Sequence, residues 1–111
     1  MEYLMLVCTD TEPDALAEQE GEVEAWVDEG ERTGKRKLGD ALVSKAEAKT
    51  IRVRNGETLI TDGPFAETKE WIVGFDLLEA SSLDEAVEYA SRHPMARAGR
   101  LEVRQLMVWD D

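Results

Sequence analysis

WIVGFDLLEASSLDEAVEYA, residues 71–90, joins a buried strand to a capped helix. Apolar side chains occupy both alternating sets between Trp71 and Leu78, which predicts a central strand covered on both faces. Ser82 begins a helix, Glu85 completes a capping box three residues later, and Pro94 ends the helix. The predicted buried stripe of this helix is Leu83, Ala86, Val87 and Ala90.

A β-hairpin precedes this strand. Residues 50–54 alternate with period two, Asn55-Gly56 is a strong hairpin-turn signal, and residues 57–61 return along the first strand. Residues 38–43 are compatible with an edge strand, whereas 44–48 have mixed propensity. We therefore assign 38–48 as a loop with a short strand.

The N-terminal part predicts another strand and helix. Residues 3–8 form an unbroken apolar run typical of an interior strand. Thr11, Pro13 and Asp14 are typical of a helix start, and either Gly30 or Gly34 ends the helix. Its apolar stripe is Leu16, Val23, Trp26 and Val27. A last strand runs from residue 101 to about 109.

This order of elements predicts one α+β domain over residues 1–111, a ferredoxin-like sandwich with an antiparallel sheet and two helices on one face. The other sheet face would be wet, although strands 3–8, 71–78 and 101–109 are apolar on both sides. A second copy of the chain is the most economical cover, which predicts a homodimer through that face. The alternative is a monomer in which residues 38–43 or the hairpin fold back over the sheet.

Composition narrows the possible functions. The net charge of −12 opposes binding to nucleic acid or to an anionic membrane. No membrane span, signal peptide or partner for Cys8 is visible, so we expect a cytoplasmic protein in which Cys8 is a small buried hydrophobe. Without phosphate loops or paired metal ligands, we expect no cofactor and no metal.

Charge is unevenly distributed along the chain. Ten acidic residues fall between Asp10 and Glu31, and eight of the thirteen basic residues fall between Arg32 and Arg54. An acidic, solvated helix beside a basic hairpin explains this pattern, and a local anion-binding patch is the alternative.

The loop TDGPFAETKE, residues 61–70, is the most distinctive motif. Asp62 can accept hydrogen bonds from backbone amides of its own turn, and Gly63 permits a positive φ. Pro64 restricts the backbone, and Phe65 supplies an apolar side chain. These residues are compatible with a rigid binding loop. They are equally compatible with a structural turn that directs Phe65 into the core.

This motif resembles the signature of the YCII-related family, specifically its DGPF-motif branch, and the likeness extends over nearly the whole chain. The resemblance implies a ferredoxin-like dimer with a cleft near the sheet interface. It implies little about activity, since most members of the branch have no assigned reaction, and some are encoded beside or fused to extracytoplasmic-function sigma factors.

Proposed catalysis in the wider family uses a histidine near the first helix paired with an aspartate. Here the only histidine, His93, lies at the end of the second helix, where an imidazole commonly caps carbonyls or meets the negative end of the helix dipole. A proton-transfer role would therefore fall on Asp62 or Glu67, with Tyr3 or Arg52 orienting a bound anion.

The first functional hypothesis is a dimer that binds a small molecule beside the 62–70 loop, with Gly63, Pro64, Phe65 and Trp71 as ligand contacts. Whether it catalyses a reaction stays open. The alternative is a regulatory or accessory protein that binds another polypeptide through the acidic helix between residues 14 and 31, in keeping with the sigma-factor association. A purely structural dimer is the third possibility.

Overall fold

Six strands and three α-helices make up the computed structural model, which describes residues 1–14, 20–63 and 71–109. A single 3₁₀ turn, Lys45–Glu47, lies between the second and third strands. The elements are β1 (Glu2–Cys8), α1 (Glu22–Thr33), β2 (Arg36–Ala41), β3 (Lys49–Arg54), β4 (Glu57–Asp62), β5 (Ile72–Glu79), α2 (Leu83–Ser91), α3 (Met95–Ala98) and β6 (Arg100–Gln105).

Four of the strands form one sheet in the order β2-β5-β1-β6, and every neighbouring pair is antiparallel. This order, with helices between β1 and β2 and between β5 and β6, is compatible with a ferredoxin-like fold. The predicted α+β class and central strand are confirmed. The short strand predicted within residues 38–48 is β2, which forms one edge of this sheet.

The hairpin forms a separate two-stranded sheet from β3 and β4. Asn55 has φ 53° and Gly56 has φ 78°, the two positive values that a type I′ turn requires. The predicted turn is therefore confirmed, and the hairpin stands outside the four-stranded antiparallel sheet. Because β5 already pairs with β2 on one side and β1 on the other, it has no free edge for β3.

One face of the four-stranded sheet is covered by helices. Tyr3, Met5, Val7 and Leu78 point into this core, where they meet buried side chains of α1 and α2. Trp26 and Tyr89 stack with their ring centroids 4.2 Å apart. Each also hydrogen-bonds the other's backbone carbonyl, through Trp26 Nε1 at 2.8 Å and the Tyr89 hydroxyl at 2.6 Å. These bonds join α1 to α2 while satisfying both polar groups.

The first helix begins later than predicted. Thr11, Pro13 and Asp14 are not helical, and α1 starts at Glu22. An Asx turn, in which Glu12 N donates to Asp10 Oδ1 at 2.8 Å, holds the predicted start in another conformation. Leu16 lies outside the described residues. The helix ends at Gly34, with φ 78°, as one of the two predicted stops requires.

The second helix confirms its predicted cap, since Ser82 Oγ accepts a hydrogen bond from Glu85 N at 3.1 Å. Its stripe is only partly as predicted: Ala86 and Ala90 are buried together with Tyr89, but Leu83 and Val87 are about half exposed. These two side chains border a groove with Leu101 and Val103 of β6. Because β6 is the edge strand of the sheet, no further strand among the described residues lies beyond it to cover Leu83 and Val87.

The last strand ends at Gln105, four residues short of the predicted end, and Met107, Val108 and Trp109 are exposed. Its neighbour in the four-stranded sheet is β1, and the last backbone hydrogen bond between them runs from Leu106 N to Glu2 O. None of the helices within the described ranges is long and apolar enough to cross a membrane.

Candidate active site

The predicted loop residues are only partly visible. Asp62 ends β4 with its side chain 82% exposed, and it forms an ion pair with Lys49. Gly63 has φ 84°, and its amide donates to Ala48 O at 2.7 Å while its carbonyl accepts from Thr50 Oγ1 at 2.8 Å. Pro64, Phe65 and Glu67 lie outside the described residues.

The remaining predicted contacts lie in different parts of the molecule. Tyr3 is buried in the core under the helices, and Arg52 is exposed on β3. Trp71 is half-buried beneath Lys45, whose Nζ lies 3.7 Å from a ring centroid of the indole. Trp71 also exchanges two 3.0 Å hydrogen bonds with Thr9, which attaches the start of β5 to β1. Tyr3 and Arg52 are therefore not assembled beside Asp62.

A different site lies between α1 and the β2–β5 side of the sheet. It is a cavity of about 380 Å³ whose wall is mainly aliphatic and includes four ionisable residues. The aliphatic residues include Val7, Val23, Val27, Val73 and Met95, and the ionisable residues are Arg36, Asp40, Asp76 and His93. An apolar cavity with a few converging polar groups is the usual form of a small-molecule site.

A nearly buried ion pair lies in this wall. Arg36 Nε donates to Asp76 Oδ1 at 2.7 Å, and both side chains are about nine-tenths buried. Arg36 also bonds Glu31 through Nη1 at 3.3 Å. Burial raises the pKa of Asp76, while the hydrogen bond and charge of Arg36 oppose that rise. Arg36 thus holds the carboxyl group through Oδ1, and burial raises the pKa of that group.

Gly39 permits this arrangement. A Cβ at this position would lie 2.2 Å from Asp76 Oδ1 and 2.6 Å from the backbone oxygen of Phe75. Both distances are far inside van der Waals contact, so the edge strand passes Asp76 closely only because it has no side chain at this point.

Gly39→Ala is expected to destabilise the protein by about 1–3 kcal/mol, because the new methyl group must displace Asp76 or β2. Urea unfolding followed by tryptophan fluorescence would measure the change. Lys37→Ala is a suitable control, since Lys37 is an exposed neighbour on the same strand. Equal stability of Gly39→Ala and the wild type would contradict the close approach.

His93 is 5% exposed and accepts a hydrogen bond at Nδ1 from Met95 N at 2.9 Å. It therefore caps the start of α3, not the carbonyls of α2 as expected. Its ring meets Trp26 edge-on, with centroids 4.7 Å apart. Burial and the nearby charge of Arg36 lower the pKa of His93 to about 4. The imidazole is neutral at pH 7, and its proton lies on Nε2 as a hydrogen-bond donor.

Arg36, Asp76 and His93 thus form a polar cluster that the sequence reasoning missed. Asp76 carried a signal, because it is the one charged residue in the apolar run 72–78 and a buried charge needs a partner. The partner was not visible, since Arg36 is 40 residues away in the chain. Over residues 1–14, 20–63 and 71–109, no group of three or more His, Cys, Asp or Glu side chains is arranged to hold a metal ion.

Comparison with known proteins agrees with the sequence resemblance at the level of the family. A protein of Rhizobium meliloti (strain 1021), described as uncharacterized, is 46% identical over 77 residues, which are 66% of this chain and 62% of that protein. The chain therefore matches less than two thirds of the length of this relative. The model of the YCII-related domain matches residues 1–110, and the chain belongs to the YCII-related family.

Proposed function

We propose that this chain is a cytoplasmic, dimeric, small-molecule-binding protein of the DGPF branch of its family, and that the ligand occupies the cavity beside Arg36, Asp76 and His93. The observation that carries the proposal is a buried ion pair and a buried neutral imidazole in the wall of an otherwise aliphatic cavity. Burying such groups costs stability unless they are paired, so their clustering in a cavity favours a functional site.

The chemistry suited to this cluster is proton transfer. Asp76 binds Arg36 through Oδ1, which leaves Oδ2 as an acceptor for a ligand proton. A carboxyl group with a raised pKa is a better base than a solvated one, and a neutral imidazole can donate from Nε2 to a ligand oxygen. Asp76 is therefore our candidate general base and His93 our candidate donor. Catalytic turnover is part of the proposal, secondary to binding.

The motif loop stays a second candidate for the ligand site. Its residues Asp62 and Glu67 were predicted for proton transfer, and these roles stay predictions. Asp62 is solvated and paired with Lys49, a setting that favours Asp76 over Asp62 as the base.

Asp76→Asn is expected to weaken ligand binding at least about 10-fold, because it removes the charge while keeping an acceptor for Arg36. Fragment screening by NMR would find ligands, and titration would compare the wild type, Asp76→Asn and the matched control Asp62→Asn. Shifted amides at Gly39, Asp76 and Met95 would support the cavity. Binding that responds to Asp62→Asn and not to Asp76→Asn would move the site to the motif loop.

The dimer is proposed from the sheet face that none of the described helices covers. Leu4 lies opposite Leu77, Leu6 lies opposite Phe75, and Leu38 extends this half-buried apolar surface onto β2. The outer side of β6 does not continue it, because Glu102 and Arg104 point that way, contrary to the prediction that this strand is apolar on both sides. A second copy would cover the apolar part, giving twice the 12.5 kDa mass of one chain in sedimentation.

Recognition of another polypeptide is the second candidate function. Glu24, Asp28 and Glu31 are exposed on α1 and give that helix an acidic outer surface. A partner bound through this surface would be released by salt, since exposed charges are screened within about 8 Å at physiological ionic strength. Capture at low salt that Glu24→Lys and Asp28→Lys abolish would support this function, and capture unaffected by them would contradict it.

A further inference from the structure

The β3–β4 hairpin projects from the rest of the molecule. Its extensive contacts are those between its own two strands, among the residues that the structure describes. The radius of gyration is 16.2 Å, whereas a compact chain of this length has a value of about 13 Å. The difference is what a projecting arm would produce.

The two faces of the hairpin differ in chemistry. Ile51 lies opposite Ile60, and Val53 lies opposite Thr58, so these four side chains share one face. Arg52, Arg54, Glu57 and Leu59 occupy the other face. Between the Lys49–Asp62 ion pair at the base and the Asn55-Gly56 turn, the first face carries no charge.

This uncharged face is open to solvent. Ile51 is 65% exposed, Val53 is 56% exposed and Ile60 is 64% exposed. A two-stranded hairpin is only marginally stable alone in water, and clustered exposed aliphatic side chains mark an interaction surface. The hairpin therefore needs a cover that its own described contacts do not supply.

We propose that the hairpin is an intersubunit arm whose Ile51–Val53–Ile60 face packs against a second copy of the chain. The inference rests on the proposed dimer and identifies the segment that holds it together. The partner surface is the apolar part of the sheet face opposite the helices, formed by Leu4, Leu6, Leu38, Phe75 and Leu77 and bordered by Asp40 on β2 and by Glu102 and Arg104 on β6.

The size of the surface favours a second copy as the occupant. A stable interface uses about 20–30 residues on each side and about 800 Å² per partner. The two hairpin strands hold six residues each, so one face of the hairpin alone is too small. A two-fold dimer uses both surfaces of both copies, because each arm meets the partner's sheet while its own sheet receives the partner's arm.

Ile60→Glu tests the arm, with Leu59→Glu as its matched control on the opposite face. Sedimentation velocity across a concentration series should show dimers for the wild type and for Leu59→Glu. Ile60→Glu should raise the dimer dissociation constant by about 100-fold or more, because a carboxylate would be buried there without a partner. The helix-covered core lies elsewhere, so near-ultraviolet circular dichroism of Trp26 and Tyr89 should stay unchanged and report that the variant is folded.

The outcomes separate the arm from the dimer. Dissociation by Ile60→Glu and not by Leu59→Glu supports the arm. A wild type that dimerises, with both variants equally dimeric, overturns the arm and leaves the dimer standing. A monomeric wild type overturns both. Hydrogen exchange would then show which monomer is present: protected hairpin amides would indicate that the hairpin folds back onto its own sheet, and unprotected amides would indicate that it stays in solvent.

Discussion

Replacing Arg36 with methionine is expected to destabilise the protein by about 3–5 kcal/mol at pH 7. The aliphatic part of the side chain would be retained, while the Nε–H that Asp76 accepts at 2.7 Å would be lost. A carboxylate that is about nine-tenths buried would then have no cationic neighbour on this side. Urea unfolding at pH 7 measures the change directly.

The double variant Arg36→Met, Asp76→Leu is the control for this prediction. It removes both charges and keeps the volume roughly constant, so it should recover most of the lost stability, since replacing a buried pair by apolar side chains is often neutral. Loss of less than about 1 kcal/mol in Arg36→Met would show that Asp76 does not depend on the pair. Equal losses in the single and double variants would show that packing, not charge, is responsible.

Acidification from pH 7 to pH 4 is expected to destabilise the wild type by about 3 kcal/mol through His93. The pKa of this imidazole is about 4 in the folded protein and 6.5 in the reference state, so the unfolded chain binds the proton more readily between these values. The stabilising contribution is complete above pH 6.5 and is lost as the pH falls towards 4. Asp76 has the opposite sign, because its raised pKa favours the folded state at low pH.

His93→Asn isolates the contribution of the imidazole. Asparagine keeps an acceptor near Met95 N but does not titrate, so unfolding free energies at pH 7, 5.5 and 4 should lose the slope that the wild type shows. Titration of the His93 ring protons by NMR would give the folded pKa independently. An unchanged slope in His93→Asn would assign the acid response to other groups.

Sequence reasoning predicted the local features of this fold well and its assembly less well. The Asn55-Gly56 turn and the Ser82 cap are decided by neighbours in the chain, and both are confirmed. The start of α1 was wrong because a local Asx turn at Asp10 competes with the cap expected at Thr11. Leu83 and Val87 were predicted to be buried but are about half exposed. The helical period shows which residues share a helix face, but it does not show how far the sheet extends beneath that face.

The sequence predicted a binding site at the 61–70 motif loop, whereas the structure contains a cavity beside Arg36, Asp76 and His93. The 61–70 loop is distinctive in sequence, yet its described acid, Asp62, is solvated. Asp76 was visible as a charge in an apolar strand, but its importance depends on Arg36 and on the missing side chain of Gly39. These residues come from two strands that pair only after folding.

By itself, the sequence determined the α+β class, the hairpin turn, the helix cap at Ser82 and the family. All of these depend on short-range patterns of hydrophobicity, glycine and hydrogen-bonding side chains. Only the tertiary structure decided that β2 pairs with β5, that the hairpin stands apart, and that Arg36, Asp76 and His93 line one cavity. The reason is that strand order and side-chain proximity depend on contacts between residues far apart in the chain, which no local pattern encodes.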